Sequence, residues 1–183
     1  MKKDEIRRRV RARKMLLNDA EKRQAACRVF EMLEKTAAFM MAENVLMYHS
    51  LPDELSTLEF IDKWHTRKHF FLPRVNGVNL DILPYDRSRL QLGAFHIEEP
   101  AGDDVTGIDS IDLVVVPAVA YDPRGNRVGR GKGYYDRMLG GCRATKVGVA
   151  YDFQLVDEID AEPHDVKVDI VITENSYIIP RKP

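Results

Sequence analysis

The sequence has few cysteines, almost no net charge and no long apolar segment, and each shortage excludes a class of protein. Cys27 and Cys142 are its two cysteines, and they lack the paired spacing of a zinc site. A formal net charge of −1 is too small for a protein that coats nucleic acid. The longest apolar run, Leu113 to Tyr121, contains Pro117 and is too short to span a bilayer. We therefore expect a reduced, cytoplasmic protein that binds neither nucleic acid nor a membrane.

The N-terminus also lacks the apolar core of a secretory signal peptide, because Met1 is followed by two lysines and further charged residues. The length of 183 residues fits one domain and leaves little room for a second independent core. No repeat, low-complexity stretch or linker divides the sequence. We therefore predict a single domain over residues 1–183, and we expect it to act as a monomer.

What the sequence does contain is an alternation of helical and extended segments. Asn18 or Asp19 is expected to cap the second helix, and Ser56 or Thr57 the third. By apolar periodicity, helices are predicted over 3–16, 18–35, 57–67 and 133–140, and strands over 44–49, 69–75, 78–85, 111–116, 146–151 and 169–173.

This alternation predicts an α/β fold: an open, mostly parallel sheet flanked by helices on both faces, as in a Rossmann-like three-layer sandwich. Segment 111–116 (IDLVVV) is continuously apolar and rich in β-branched residues, which is typical of a central strand covered on both faces. Segment 78–85 alternates apolar and polar residues, so it is predicted as a half-exposed edge strand.

The most informative segment follows the predicted central strand and contains what we call the glycine loop, residues 125–133 (GNRVGRGKG). Its glycines allow backbone N–H groups to approach a ligand closely, and its arginines and lysine supply positive charge. Ligands of open α/β sheets bind beyond the carboxyl ends of the strands, where this loop lies. The loop therefore predicts a site for a polyanion such as the phosphates of a nucleotide.

The glycine loop matches neither of two common phosphate-binding motifs. One residue too many precedes its Gly-Lys pair for a Walker A loop, and glycine follows where Ser or Thr is needed. Gly129-x-Gly131 continues with Lys-Gly-Tyr, which breaks the dinucleotide fingerprint. The alternative interpretation, a solvated surface turn, suits segment 122–125. It does not suit 129–133, where closely spaced glycines cost chain entropy and neighbouring cations repel each other without an anion.

Residues 125–139, GNRVGRGKGYYDRML, resemble the signature of the 5-formyltetrahydrofolate cyclo-ligases, also called 5,10-methenyltetrahydrofolate synthetases. Further matches follow in the family's order and span nearly the whole chain: Lys3-x-x-x-Arg7, Tyr48-x-Ser-x-x-x-Glu54, Phe71-Leu-Pro-Arg74, Ile97-Glu-Glu-Pro100 and Lys167-Val-Asp169. Segment 118–121 (AVAY) departs from the family, which often has Gly after the Pro and Phe before the Asp. That change concerns packing and leaves the charged motif intact.

Enzymes of this family convert 5-formyltetrahydrofolate and ATP to 5,10-methenyltetrahydrofolate, ADP and phosphate with the help of Mg²⁺. The resemblance implies that ATP is bound by Lys3, Arg7, Arg74, Arg127, Val128, Gly129, Arg130, Gly131, Lys132, Gly133, Tyr134 and Tyr135. It implies that the reduced folate is bound by His49, Glu54, Arg130, Gly131, Lys132, Gly133 and Tyr134. Arg130 and Lys132 would be catalytic, and Asp136 and Asp169 would hold the Mg²⁺.

The residue chemistry agrees with these roles, although each has a simpler alternative. Mg²⁺ takes one or two carboxylates together with phosphate oxygens, but Asp136 also suits a helix first turn and Asp169 a strand end. Glu54 can accept hydrogen bonds from a pterin, or be a solvated loop acid. Lys3 and Arg7 share one helix face. The other basic residues of that helix, including Lys14, are expected to be solvated.

Two other functions fit part of the pattern. A nucleotide- or RNA-binding regulator would use the basic helix and the glycine loop without chemistry, but it would gain nothing from Asp136 and Asp169. A kinase-like α/β enzyme with another acceptor would use the loop, but it would not need Glu54. The expected ligands are therefore a reduced folate and ATP.

Overall fold

The computed structural model describes residues 1–93 and 97–182. Its helices are α1 (Lys3–Lys14), α2 (Asp19–Glu34), α3 (Ala37–Met41), α4 (Leu58–Trp64) and α5 (Tyr134–Leu139). Its strands are β1 (Asn44–Leu46), β2 (His69–Asn76), β3 (Asn79–Pro84), β4 (Leu90–Leu92), β5 (Glu98–Pro100), β6 (Leu113–Val116), β7 (Ala120–Tyr121), β8 (Arg127–Val128), β9 (Thr145–Val149), β10 (Ile170–Thr173) and β11 (Ser176–Ile178). Within the described ranges, no helix combines the length and the apolar character that crossing a membrane requires.

A mixed sheet of seven strands, in the order β11-β10-β9-β6-β1-β2-β3, forms the centre of the protein. Strands β10, β9, β6, β1 and β2 pair in parallel, and the edge strands β3 and β11 pair antiparallel with their neighbours. All residues of β6 are buried, as its continuous apolar run requires. The predicted fold class, the central position of β6 and the edge position of β3 are confirmed.

Helices cover both faces of this sheet. Alternate residues of a strand point to opposite faces, so β6 contributes to two separate cores. On one face, Val115 belongs to a core that includes Phe30 of α2 and Phe60 of α4. On the other face, Val114 belongs to a core that includes Leu139 of α5. The three-layer arrangement therefore follows from the apolar residues that β6 presents on both sides.

Helix α1 lies over the hairpin of β7 and β8 and forms a third, smaller core. Ile6 and Val10, four positions apart on one helix face, are buried against Val128 and Ile159. This packing brings the N-terminal end of the chain to the glycine loop, which begins within the same hairpin. The helix ends at Lys14, slightly earlier than the spacing predicted.

Several local features differ from the prediction. Helix α3, the pairs β4–β5 and β7–β8, and β11 were not predicted, because their short segments have no extended periodicity. Asn18 caps α2 as expected, since its side chain accepts a hydrogen bond from the Glu21 amide. Thr57 precedes α4 but does not cap it: its hydroxyl donates instead to the carbonyl of Tyr48 at 2.9 Å. Strand β1 ends before His49, which leaves that residue in a loop.

Candidate active site

A cleft of about 1040 Å³ opens beyond the carboxyl ends of β1, β2 and β6. Its walls come from α1, the loop after β1, the second half of β2, the glycine loop and segment 160–165. The predicted site residues that line it are Lys3, Arg7, His49, Glu54, Arg127, Gly129, Arg130, Gly131, Lys132, Gly133, Tyr134, Tyr135 and Asp136. Residues that lie far apart in the sequence therefore meet in one cavity, at the edge of the sheet where α/β enzymes bind ligands.

The glycine loop has a backbone that other residues would not easily adopt. Gly131 has φ of +107° and Gly133 has φ of +70°, and an added Cβ at Gly133 would approach Arg137 Nη1 to 2.9 Å. The Arg137 guanidinium fixes the end of the loop, because it donates to the carbonyls of Lys132 and Val78, both at 2.7 Å. The loop is thus held against the turn between β2 and β3, with its backbone facing the cleft.

Arg127 is a buried cation in the wall of the cleft. Its Nη1 donates to the Pro117 carbonyl at 3.2 Å, its Nη2 lies 3.6 Å from Asp136 Oδ1, and its guanidinium lies 5.5 Å from the centre of the Tyr135 ring. Its buried Nε has no hydrogen-bond partner among the described residues. The contacts of its two Nη atoms hold the Arg127 guanidinium in the wall beside the glycine loop, where its positive charge acts on the cleft.

Helix α1 supplies two further cations from one face. Lys3 Nζ lies 2.6 Å from Asp165 Oδ2, and Arg7 Nε donates to the carbonyl of Gly129 at 2.9 Å. Burial alone would raise the pKa of Asp165, but the hydrogen bonds from Lys3 and from the Glu162 amide outweigh it and hold that pKa below its usual value. Arg7 therefore braces the glycine loop while its guanidinium remains part of the cleft wall.

The opposite end of the cleft is built by the loop after β1. The Glu54 carboxylate is mostly buried, and its Oε1 accepts a hydrogen bond from the Leu51 amide at 3.0 Å. Burial raises the pKa of Glu54, although the Leu51 amide and the Arg130 guanidinium oppose this shift. The buried Tyr48 hydroxyl donates to the Leu55 carbonyl at 2.9 Å, and burial raises the pKa of Tyr48 well above its usual value, so it is a neutral donor.

His49 and Arg130 border the same end of the cleft. His49 Nε2 lies 3.0 Å from Glu98 Oε2. The Arg130 guanidinium is about half exposed, and its Nη2 lies 3.1 Å from Asp53 Oδ1 and 3.7 Å from Glu54 Oε2. Arg130 thus connects the glycine loop with the loop after β1, at the boundary between the cationic and the carboxylate-bearing parts of the cleft.

Two of the expected ATP-binding side chains lie outside the cleft lining. Arg74 is in β2, where Pro73 and Val75 face the cleft and Arg74 points to the other side of the strand. Its guanidinium donates to the Gly102 carbonyl at 2.7 Å and lies 3.5 Å from Asp81. Val128 is fully buried in the core beneath α1. Neither side chain faces the cleft, and the expectation that Arg74 and Val128 bind ATP stays a prediction.

Asp169, the second expected metal ligand, does not join Asp136. It immediately precedes β10, so it lies at the amino ends of the parallel strands, whereas the cleft lies beyond their carboxyl ends. Its Oδ2 accepts a hydrogen bond from the Lys146 amide at 2.8 Å, which is the strand-end alternative weighed for it from the sequence. Asp136 lies in the first turn of α5 within the cleft, and its Oδ1 accepts from the Val166 amide at 3.1 Å.

Segment 160–165 forms an acidic wall of the cleft that was not predicted from the sequence. Glu162, His164 and Asp165 line the cleft, and one ligand atom from each lies within 4.8 Å of the others. Their only signal is a short acidic stretch without periodicity, which looks like an ordinary surface loop. Lys14 was also missed, because it was expected to be solvated and is instead buried beside Asp53.

Comparisons with known proteins agree with this geometry. The model of the 5-formyltetrahydrofolate cyclo-ligase family matches residues 1–174. The 5-formyltetrahydrofolate cyclo-ligase of Escherichia coli is 35% identical over 144 residues, which cover 73% of this chain and 79% of that protein. The Haemophilus influenzae enzyme of the same name is 29% identical over 182 residues, covering 93% and 97%. The NMR structure of Aquifex aeolicus 5,10-methenyltetrahydrofolate synthetase superposes with a TM-score of 0.89 at 31% identity, covering 99% of this chain and 94% of that one.

Proposed function

This chain belongs to the 5-formyltetrahydrofolate cyclo-ligase family, and from that premise we propose how its cleft performs the family's reaction. It is an enzyme that converts 5-formyltetrahydrofolate to 5,10-methenyltetrahydrofolate, and we assign ATP as its co-substrate and Mg²⁺ as its metal. The observation that carries the assignment is that Lys3, Arg7 and Arg127 line one cleft together with the glycine loop. It supports binding of phosphate at one end of a cleft whose other end holds the Glu54 carboxylate.

The chemistry explains why such an enzyme needs ATP. A formamide carbonyl is a poor electrophile because its nitrogen donates electrons into it, and its oxygen is a poor leaving group. Transfer of the γ-phosphoryl group to that oxygen releases ADP and leaves an imidate-like phosphate. N10 of the folate then attacks the formyl carbon, the carbon–oxygen bond breaks, and phosphate departs as the ring closes and N10 loses its proton. The enzyme must hold the two substrates in line and neutralise charge on the moving phosphoryl group.

The phosphate end of the cleft is supported by several kinds of positive group. Backbone N–H groups of 129–133 can cradle phosphate oxygens, and the Arg127 guanidinium lies in the wall beside them. Lys3 and Arg7 reach the same end from α1. Each of these cations already contacts a carboxylate or a carbonyl, so they are oriented before ATP binds and lose little freedom when it does.

The folate end is supported by Glu54, His49 and Arg130. A pterin presents amino and ring N–H donors, and an ionised carboxylate accepts such donors in pairs. Glu54 is mostly buried, so hydrogen bonds to it face little competition from water. Arg130 extends from the glycine loop toward Glu54, where its guanidinium would neutralise charge as the phosphoryl group moves to the formyl oxygen. Lys132, on the exposed part of the loop, shares that catalytic role.

Asp136 would hold Mg²⁺ together with phosphate oxygens of ATP. One carboxylate plus phosphates is a donor set that Mg²⁺ accepts, and Asp136 provides it inside the cleft, whereas Asp169 does not. When bound, the metal supplies positive charge that offsets the charge of the phosphates. The Val166 amide and the Arg127 guanidinium fix the orientation of the Asp136 carboxylate.

We also propose that one chain, as a single domain, suffices for activity, since every group named here belongs to it.

Turnover by the purified protein tests this proposal. The protein is incubated with 5-formyltetrahydrofolate, ATP and Mg²⁺, and the near-ultraviolet absorbance of the methenyl product is followed while ADP is measured in parallel. We expect an absorbance rise that requires ATP and Mg²⁺, with one ADP formed for each product molecule. A rise that is independent of ATP, or no rise, would overturn the proposal.

A further inference from the structure

The Lys14 side chain is buried, whereas the neighbouring cationic side chains of helix α1 are solvated. Its side chain is 8% exposed, whereas Arg11 and Arg13 on the same helix are exposed. Removing an ammonium group from water is costly unless a partner compensates for it, and burial lowers the pKa of Lys14. The partner is Asp53, whose Oδ2 lies 3.5 Å from Lys14 Nζ.

Asp53 connects Lys14 to the folate end of the cleft. Its Oδ1 lies 3.1 Å from Arg130 Nη2, and the same nitrogen lies 3.7 Å from Glu54 Oε2. The four side chains therefore alternate in charge, from Lys14 through Asp53 and Arg130 to Glu54. They come from α1, the loop after β1 and the glycine loop, so this row joins three separate elements around one end of the cleft.

Stability alone does not account for this row. A buried ion pair is often no more stabilising than apolar side chains of similar volume, and a half-exposed pair such as Asp53 with Arg130 contributes little to stability. An apolar residue at position 14 would extend the face of α1 that already buries Ile6 and Val10. What the charges provide, and an apolar residue would not, is a fixed direction for the Arg130 guanidinium.

We propose that Lys14 and Asp53 are positioning residues for folate binding: Asp53 orients the Arg130 guanidinium beside Glu54, and Lys14 holds the Asp53 carboxylate in place. The inference rests on the proposed function, in which Arg130 and Glu54 contact the substrates. Neither Lys14 nor Asp53 lines the cleft, so their effect on the reaction is transmitted through Arg130 and Glu54.

The two positioning residues act on Glu54 with opposite signs. Burial raises the pKa of Glu54, the Asp53 charge raises it further, and the charges of Arg130 and Lys14 lower it. Among the described residues, Tyr48, Tyr121, Tyr135 and Tyr151 also interact with Glu54, and burial keeps these tyrosines neutral. The His49–Glu98 pair borders the same end of the cleft and is unchanged in every variant. Lys14→Met should therefore raise the pKa of Glu54, and Asp53→Asn should lower it. The charges of Lys14 and Asp53 alone also give these shifts, and such direct effects add. If Asp53 acts by orienting Arg130, the effect of Asp53→Asn must depend on Arg130, so the substitution is also made in an Arg130→Met background.

The kinetic experiment measures kcat/KM for 5-formyltetrahydrofolate against pH at saturating ATP. We expect the acid limb of the profile to move to higher pH in Lys14→Met and to lower pH in Asp53→Asn. Lys14→Arg, which keeps the charge, and Arg11→Met, which removes an exposed charge from the same helix, should match the wild type. In Asp53→Asn, KM for the folate should rise about tenfold, the effect of one charge-assisted hydrogen bond, and kcat should fall as well, because Arg130 also neutralises charge on the moving phosphoryl group.

A second measurement is independent of activity. The Glu54 carboxyl is titrated in the free protein by ¹³C NMR, with its signal assigned from Glu54→Gln, and thermal unfolding checks that each variant is folded. Non-additive effects of Asp53→Asn and Arg130→Met on the pKa of Glu54 support the inference, and additive effects overturn it. A wild-type protein without turnover would overturn the proposed function, whereas additive effects in an active protein overturn the positioning role alone.

Discussion

Replacing Gly131 by alanine separates the backbone geometry of the glycine loop from its charge. An alanine Cβ at this position would meet no atom closer than Arg7 Nη2 at 3.9 Å, so the substitution causes no clash. The remaining cost is conformational, because φ of +107° is a region that residues with a Cβ rarely adopt. Holding a residue there costs about 1–3 kcal/mol. The loop can avoid this strain only by rotating peptide groups away from the phosphate-binding arrangement.

The expected loss of activity follows from that strain. Since about 1.4 kcal/mol corresponds to a factor of ten, Gly131→Ala should lower kcat/KM for ATP by about 5- to 150-fold. Initial rates of methenyl product formation, measured against ATP concentration, give this value. All the cations of the loop remain, so the loss would be attributable to backbone geometry.

Gly141→Ala is the matched control. Gly141 also has a left-handed φ, +74°, and open space around it, but it lies beyond α5 and outside the cleft lining. Both variants should lower the melting temperature, because both place a Cβ in a strained conformation. Only Gly131→Ala should change kcat/KM for ATP; the control should stay within about twofold of the wild type. Equal kinetics in the two variants would refute the argument that backbone N–H groups of the loop bind phosphate.

Three further substitutions test the cleft. Glu54→Gln should raise the melting temperature at neutral pH and raise KM for the folate about tenfold. Burial raises the folded-state pKa of Glu54, so the stabilising contribution of Glu54 is present at low pH and lost as pH rises. The higher melting temperature of Glu54→Gln should therefore vanish on acidification. Lys132→Ala should lower kcat/KM at least tenfold without a change in melting temperature, since the side chain is exposed; wild-type kinetics would remove Lys132 from the catalytic group. Asp136→Asn should raise the Mg²⁺ concentration needed for half-maximal rate at least tenfold, and Asp169→Asn should leave it unchanged; the reverse result would contradict the metal assignment.

The sheet could be predicted from the sequence because its strands carry their own signal. The run over 111–116 has apolar side chains for both faces, so its central position follows directly from burial. The apolar stripe of Ile6 and Val10 likewise indicated the packed face of α1. The cleft could be located because the glycine loop follows β6, and the carboxyl ends of parallel strands share one edge.

The sequence was less informative about the orientation of side chains, because that orientation depends on strand pairing or on partners that are distant in the sequence. Arg74 adjoins the cleft in sequence, but the phase of β2 turns its side chain to the opposite side. Val128 lies within the basic motif, but its apolar side chain is drawn into the core under α1. Lys14 is buried because Asp53, which is distant in sequence, compensates for its charge. Helical periodicity cannot show such a contact, since it describes only one element at a time.

The fate of the formyl oxygen distinguishes phosphorylation before ring closure from direct ring closure. If the γ-phosphoryl group of ATP moves to the formyl oxygen before the folate ring closes, this oxygen must leave with phosphate. 5-Formyltetrahydrofolate labelled with ¹⁸O in its formyl group is converted by the purified protein, and the phosphate released is analysed by mass spectrometry. The account predicts one ¹⁸O atom in each phosphate formed. Unlabelled phosphate, with the label recovered in water, would contradict it.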